Sequence, residues 1–521
     1  MPTKRLNPLV LDSVGVFGLN TQANASSLDH RWLVKSDNIM INSEGRLTSR
    51  KGIQAISATV GNYPVKSVHS HTNTDGTTSL ISSANSKIWK IDSTAVPKVN
   101  TEQTFTGTPQ TITGDNWQWV QYDDDSIGVQ AGHRPIHYTS GTGVWADLED
   151  TATYAASTNI TTFDPSTMLS QYGRLWAAGF TEDKETVLYS RTLQHHKWTG
   201  TGAGVLNMKS VWGYDEIVAL ESFNGKLIIF GKNNIAIYND PFDPSATTFA
   251  LDEVIQGVGC VARDSVQSTG SDLFFLSSRG VMSLGRVVQE KSLPLNDISK
   301  NVRSDLLQTL AQETHANGHR EAIKSIYSPI DAFYLITFPD SSLVYCFDLR
   351  QALENGAYRA TTWTAIKPIS FSIFADDHLY MGHDEGIVEY DSYLDGTTKY
   401  QMRYFSNPLD FGNASNLKFL KKFNVTIIGG QNTESTLNWG YDYTSDYTKQ
   451  ALTFGTASAA EYGVTEYNTT GEYTASIVIQ TPKVNTSGNG EIVTIGIEAE
   501  VNDSPFSIQK IDIHALLGRL I

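Results

Sequence analysis

The feature that most limits how this chain can fold is a two-run pattern that recurs seven times before about residue 400. In one copy Leu227-Ile228-Ile229-Phe230 is followed by the polar turn Gly231-Lys232-Asn233-Asn234 and then by Ile235-Ala236-Ile237-Tyr238. In the next, Leu273-Phe274-Phe275-Leu276 leads through Ser277-Ser278-Arg279-Gly280 into Val281-Met282-Ser283-Leu284. Upstream copies pair Leu80–Ala84 with Ile88–Ile91, Ile127–Gln130 with Ile136–Tyr138, and Leu175–Ala178 with Val187–Tyr189. Downstream copies pair Phe333–Ile336 with Leu343–Phe347, and Leu379–Gly382 with Ile387–Tyr390. Two short β-prone runs around a Gly-, Asn- or Ser-rich turn are a hairpin signature. The copies begin roughly 45 to 60 residues apart, which is the period of a four-stranded propeller blade with loop insertions. A single blade cannot bury both of its faces, so the copies must stack on one another. The expected fold is mainly β, with a β-propeller of about seven blades. Separate β-sandwiches in series are the competing architecture.

Between Val287 and His315 the apolar period changes from 2 to 3.6. Ile298, Val302, Leu306 and Leu310 recur every four residues, with Lys300, Arg303 and Asp305 on the other face and Asn296 or Asp297 as a cap. This predicts one inserted amphipathic helix, packed on the propeller rim and covering an edge. It also accounts for the longest interval between hairpins.

The 521 residues exceed what the repeats occupy, so further units are expected at both ends. Residues 1–60 read as an extended arm, a half-turn at Leu28–Leu33 and a hairpin turning near Ser43-Glu44-Gly45. Residues 61–400 are assigned to the propeller. Residues 401–521 carry longer alternating runs: Leu417–Gly430, Leu437–Tyr443 as its expected partner, Ile492–Glu500 and Phe506–His514. Such alternation predicts half-buried antiparallel strands in a C-terminal β-sandwich or jelly roll serving as a platform or docking domain.

With 39 Lys and Arg against 55 Asp and Glu the formal charge is −16, which argues against a protein that grips nucleic acid by its phosphates. Two cysteines, Cys260 and Cys346, form no disulfide framework and fit a reducing place of synthesis. No h-region follows Met1–Pro8, so no signal peptide is expected. No apolar run approaches the roughly 20 residues that span a bilayer.

Several segments carry a more specific resemblance. Gly18-Leu19-Asn20-Thr21, Asn38, Gly45-Arg46-Leu47 and Ser49-Arg50-Lys51-Gly52 occur in that order near the N-terminus. The middle runs from Val211-Trp212 through Gly257-Val258-Gly259-Cys260 and Asp264-Ser265-Val266 to Ser278-Arg279-Gly280-Val281, and the end closes on Phe506-x-Ile508-x-x-Ile511-x-Ile513. Together these resemble the tail nozzle family of short-tailed phages (podoviruses), also called packaged-DNA stabilisation or tail tube proteins. The resemblance implies a structural virion protein of the tail, made in the host cytoplasm. It further implies a homohexameric ring with a propeller-like domain, placed below the tail adaptor ring and touching tail fibres or a needle. Such a ring retains double-stranded DNA and conducts it during ejection without reading its sequence.

The alternative reading is a propeller adhesin or glycosidase acting on host-surface carbohydrate, for which Trp117, Trp119, Tyr122, Trp145 and Trp198 are candidate stacking platforms. A protein-interaction propeller is a third. No enzymatic motif supports catalysis. Thr72–Ser79 approaches an Asp-box but lacks its Trp, and Tyr122-Asp123-Asp124-Asp125 lacks the Gly and distal Glu of a Ca²⁺ loop. His195-His196 has no further ligand at metal spacing, and Lys418–Lys422 is expected to edge a sheet face. No catalytic, cofactor-binding or metal-binding residue is nominated, and no cofactor is expected.

Overall fold

The computed structural model describes residues 7–56, 63–92, 98–107, 109–140, 142–148, 159–244, 246–290, 297–314, 320–374, 377–384, 386–412, 415–431, 433–454 and 479–520. All seven hairpins of the sequence pattern are present, and each forms the second and third strands of its own antiparallel sheet. The seven sheets are the blades of a β-propeller. Blade 4, for example, runs Ile217–Phe223, Lys226–Gly231, Asn234–Asn239 and Ala250–Gln256. The first strands of neighbouring blades touch around the ring, with the 3₁₀ turn Arg263–Ser265 making the contact between blades 4 and 5, and that of blade 7, Ser370–Ile373, meets that of blade 1, Ser67–Thr72.

The apolar runs are continuous because each blade is buried on both faces. Leu227 and Ile229 pack toward blade 3, whereas Ile228 and Phe230 pack toward blade 5. Successive side chains of a strand point to opposite faces, so one run feeds two interblade cores. Separate apolar clusters fill every junction between neighbouring blades.

Two blades depart from the plain pattern. Blade 7 takes its outermost strand from the other end of the chain: Gln54–Ala55 pairs with Gly386–Glu389, in the register Val388↔Ala55 and Glu389↔Gln54. Among the described residues blade 5 has three strands, Gln267–Ser268, Leu273–Ser277 and Gly280–Ser283, the last continuing directly into the helix Leu284–Glu290. The helix Arg303–Gln312 then lies against Gly280–Ser283. Ile298, Val302, Leu306 and Leu310 are all buried, as the four-residue period predicts.

The start of that helix differs from the expected capped one. A 3₁₀ turn, Lys300–Val302, precedes it, and its N-cap position, Val302, offers no side-chain acceptor. Asp297 is buried and instead takes hydrogen bonds from the Arg303 guanidinium and the Ser299 hydroxyl. The alternative cap Asn296 and the expected helix end at His315 lie outside the described residues.

The remaining strands form two facing sheets. One joins Ile39–Ile41, Leu47–Ser49, Phe506–Leu520, Asn416–Gly429 and Ile479–Gln480, with Asn7–Asp12 on Phe506–Leu520 and two short strands on Asn416–Gly429. The other joins Leu33–Asp37, Tyr400–Ser406, Val493–Val501, Glu434–Tyr441 and Thr448–Ala451. Residues 7–49 thus supply strands to both sheets. The core between the sheets, with Phe423, Val425, Ile511, Trp439 and Ile497, is continuous with the core of blades 5 and 6 through the arm and the inserted helix.

The expected pairing of Leu437–Tyr443 with the long strand is not observed. Asn416–Gly429 pairs with Phe506–Leu520, and Glu434–Tyr441 lies in the opposite sheet beside Val493–Val501. Gly429 and Gly430, at φ +84° and +74°, turn the chain from one sheet to the other. A Cβ on Gly429 would stand 2.0 Å from the Pro505 carbonyl oxygen, so only glycine fits this crossing.

Candidate functional site: the propeller hub and its junction with the sandwich

The first strands of six blades, with the turn Arg263–Ser265, line a central cavity of about 480 Å³. Blades 2, 3, 5 and 6 are tied together across it. From blade 5, the Arg263 guanidinium donates to both carboxylate oxygens of Asp264, at 3.0 and 2.8 Å, and to the carbonyls of Ser166 at 2.7 Å and Asn116 at 3.2 Å. From blade 6, Lys324 Nζ donates to Asp264 at 2.5 Å and to the Asn116 side chain. Burial alone would raise the Asp264 pKa, but the two cations hold it down at about 2. Because Asn116 precedes blade 2 and Lys324 opens blade 6, these bonds bridge opposite sides of the ring.

Glu221 also faces the cavity. Burial pushes its carboxyl up to about 7, and the Ser222 N–H that donates to it at 2.9 Å offsets only part of that. Between blades 1 and 2, His69 and His71 both bond the Ser126 hydroxyl, at 3.1 and 2.7 Å. Burial, with His71 adding to it, lowers His69 to about 3, so it acts as a neutral hydrogen-bonding group.

The second constellation lies where the chain enters and leaves the propeller. Arg50, fully buried, pairs with Asp395 through two hydrogen bonds of 2.9 and 2.6 Å and donates through Nε to Asn38 Oδ1 at 3.0 Å. Its guanidinium lies 4.1 Å from the centre of the Tyr400 ring, and the Tyr400 hydroxyl donates to the Arg50 carbonyl. Arg50 follows the sandwich strand Leu47–Ser49, and Asp395 follows the last internal strand of blade 7, so one ion pair clasps both crossings. Asn38, at φ +54°, donates to the Gln401 carbonyl at 2.7 Å. Gly52 packs against residue 394 so closely that a Cβ would sit 1.9 Å from the Leu394 oxygen. Earlier in the arm, Leu19 N–H donates to the Ala360 carbonyl at 2.7 Å and Thr21 N–H to that of Asn301 at 2.9 Å. The segments Gly18–Thr21, Asn38 and Ser49–Gly52 therefore act together, fastening the sandwich to the propeller.

The residues weighed as sugar platforms are packing residues. Trp117, Trp145 and Trp198 are 2%, 1% and 3% exposed, Tyr122 is buried, and half-buried Trp119 donates to Ser67 and stacks on His69. Thr72–Ser79 is the turn between the first two strands of blade 1. Lys418–Lys422 does not edge a sheet: its strand is flanked on both sides, and buried Lys418 donates to the Glu491 carbonyl. Arg263, Asp264, Lys324 and Glu221 carry no sequence signal as a group, because they come from three blades. Among the described residues no helix is long and apolar enough to cross a membrane.

Fold and clasp define a propeller held in a sandwich built from both ends of the chain. Over residues 37–385 the sequence matches the family Phage_stabilise, described as Bacteriophage P22 Gp10, beta-propeller, and the chain belongs to that family. It is a structural protein of the virion, located in the phage tail, and not a carbohydrate-cleaving or adhesive propeller. No curated protein matches the sequence. Among solved structures it is similar to the extracellular domain of the hybrid two component system BT3049 from B. thetaiotaomicron, at 12% identity and TM-score 0.41, over 67% of this chain and 42% of that one. It thus spans less than half the length of that structure. It is also similar to the WD40 beta propeller domain of Doa1, at 12% identity and TM-score 0.37, over 65% of this chain and 96% of that one. The Neurospora crassa Pan2 WD40 domain gives 9% identity and TM-score 0.36, over 66% and 95%.

Proposed function

We propose that copies of this chain form a six-fold ring that extends a short phage tail below its adaptor, retains packaged double-stranded DNA and conducts it during ejection. The observation that carries this reading is the family match over residues 37–385. The hub adds a constraint on where a conduit can lie. The Arg263–Asp264–Lys324 bridge joins opposite sides of the ring, so the duplex passes between copies and not through the propeller of one. A charge of −16 suits such a wall, since phosphates are repelled toward the ring axis and not held. The sandwich is the platform that docks against neighbouring subunits and the adaptor, through heterologous contacts that close a ring. The propeller faces the fibres or needle.

Electron microscopy of purified protein, with its mass measured in the same buffer, tests this reading. A six-fold ring with a hole wide enough for a DNA duplex is the expected result, on purified protein or after addition of the adaptor. A chain that stays monomeric with the adaptor present overturns it.

A further inference from the structure

Asp125, His137 and His195 come together at the junction of blades 2 and 3, far from the hub. We propose that they form a binding site for a divalent transition-metal ion, with Zn²⁺ as its probe, that staples the two blades. One ligand atom from each residue lies within 4.8 Å of the other two. His137 Nε2 stands 3.0 Å from Asp125 Oδ2, and His195 Nε2 stands 4.0 Å from the same oxygen. A tetrahedral zinc ion with bonds near 2.0–2.1 Å sets its ligand atoms about 3.3 Å apart, so the three need shifts of less than an ångström or two to close on one ion. Two imidazoles and a carboxylate suit zinc or a neighbouring first-row ion.

The ligands are held from behind, as metal ligands usually are. Asp125 Oδ1 accepts the Ser140 N–H at 3.2 Å, which leaves Oδ2 turned to the histidines. His137 Nδ1 lies 3.5 Å from the Thr139 hydroxyl. His195 sits on a tight loop in which Arg191 N–H donates to the Lys197 carbonyl and Leu193 N–H to that of Gly173. Its ring packs edge-on against Tyr122 at 5.2 Å, and the Tyr122 hydroxyl is fixed to the Gly173 carbonyl at 2.9 Å. The three side chains are 15–19% exposed and line a cavity of about 680 Å³, which gives an ion a path in and a water a fourth coordination position.

The test uses full-length, tag-free protein stripped with a chelator and dialysed. Co²⁺ is added first, as an optical stand-in for zinc. Visible d–d absorption saturating at one ion per chain is expected, and Zn²⁺ should displace it. At a hundredfold excess over Kd, Zn²⁺ should raise the thermal midpoint by roughly 2–3 °C. The variants His137→Gln and His195→Gln should each lose the cobalt absorption and the zinc-dependent shift while keeping the wild-type circular dichroism spectrum. Absence of cobalt absorption and of a zinc response in the wild-type protein overturns the proposal. So does a response that survives in both variants, because the ion would then sit on other histidines.

Discussion

The propeller and the sandwich bury comparable β-sheets by opposite use of the chain. Six blades are each made from one contiguous stretch, and blade 7 borrows only the two residues Gln54–Ala55 from elsewhere. The sandwich needs strands from both ends in each of its sheets, with Leu33–Asp37 beside Tyr400–Ser406 and Leu47–Ser49 beside Phe506–Leu520. One body is therefore assembled from local contacts, and the other forms only when the ends of the chain meet. The Arg50–Asp395 clasp and the borrowed strand lie where these two modes join, so the closing of each body depends on the other.

The strongest way to break that coupling is Arg50→Ala. It leaves half-buried Asp395 at the junction without its cation and removes a fully buried guanidinium, with an expected loss of about 3 kcal/mol. In urea, the single transition expected of the intact chain should split into separate propeller and sandwich steps. One unchanged transition would refute the coupling.

A pH experiment isolates the propeller hub. The folded pKa of Glu221, about 7, lies above the ordinary carboxylate value, so the unfolded state releases this proton first and stability falls from about pH 4.5 to pH 7. Glu221→Gln should therefore stabilise the protein by about 2–3 kcal/mol at pH 8 and leave it nearly unchanged at pH 4. Parallel stability curves for variant and wild type would contradict this placement of Glu221. Asp264 acts in the other sense: its contribution is present above the unfolded carboxylate value and is lost as pH falls toward 2.

Gly52→Ala sharpens the comparison at the backbone. Its new Cβ must displace the residue 394 carbonyl, at an expected cost of about 1–3 kcal/mol. The loss should fall on both bodies, measured as a lower urea midpoint in each unfolding probe. The smallest effect is expected on the propeller rim. Lys87 and Glu102 form an exposed pair 2.8 Å apart, and Lys87→Ala should change stability by about 0.5 kcal/mol or less. A larger loss would mean that the rim contributes more than its exposure allows.

The seven hairpins are legible because each is sequence-local and buried on both faces, which writes apolar runs such as Leu227–Phe230 and Phe333–Ile336 directly into the chain. The inserted helix was legible from its four-residue period, although its start was not, since the Asp297–Arg303 pair replaced the expected cap. The short strands Gln54–Ala55 and Gln267–Ser268 carry too few residues for any periodicity, and their place comes from the sheet edge they complete. The pairing of Asn416–Gly429 was misread because two neighbouring alternating runs suggest a hairpin, whereas Gly429 and Gly430 carry the chain between sheets.

Alternation, turn chemistry and period determine local elements, and in this chain they were enough to establish a repeated β architecture, an inserted helix and a resemblance to phage tail proteins. Which distant side chains meet is a different matter. Arg50 with Asp395, Arg263 with Lys324, and Asp125 with His137 and His195 come from separate turns and strands, and nothing in their spacing records the encounter. Those meetings follow from closing the ring and joining the two ends, because burial forces charged and polar groups to find partners wherever the closed fold brings them within reach.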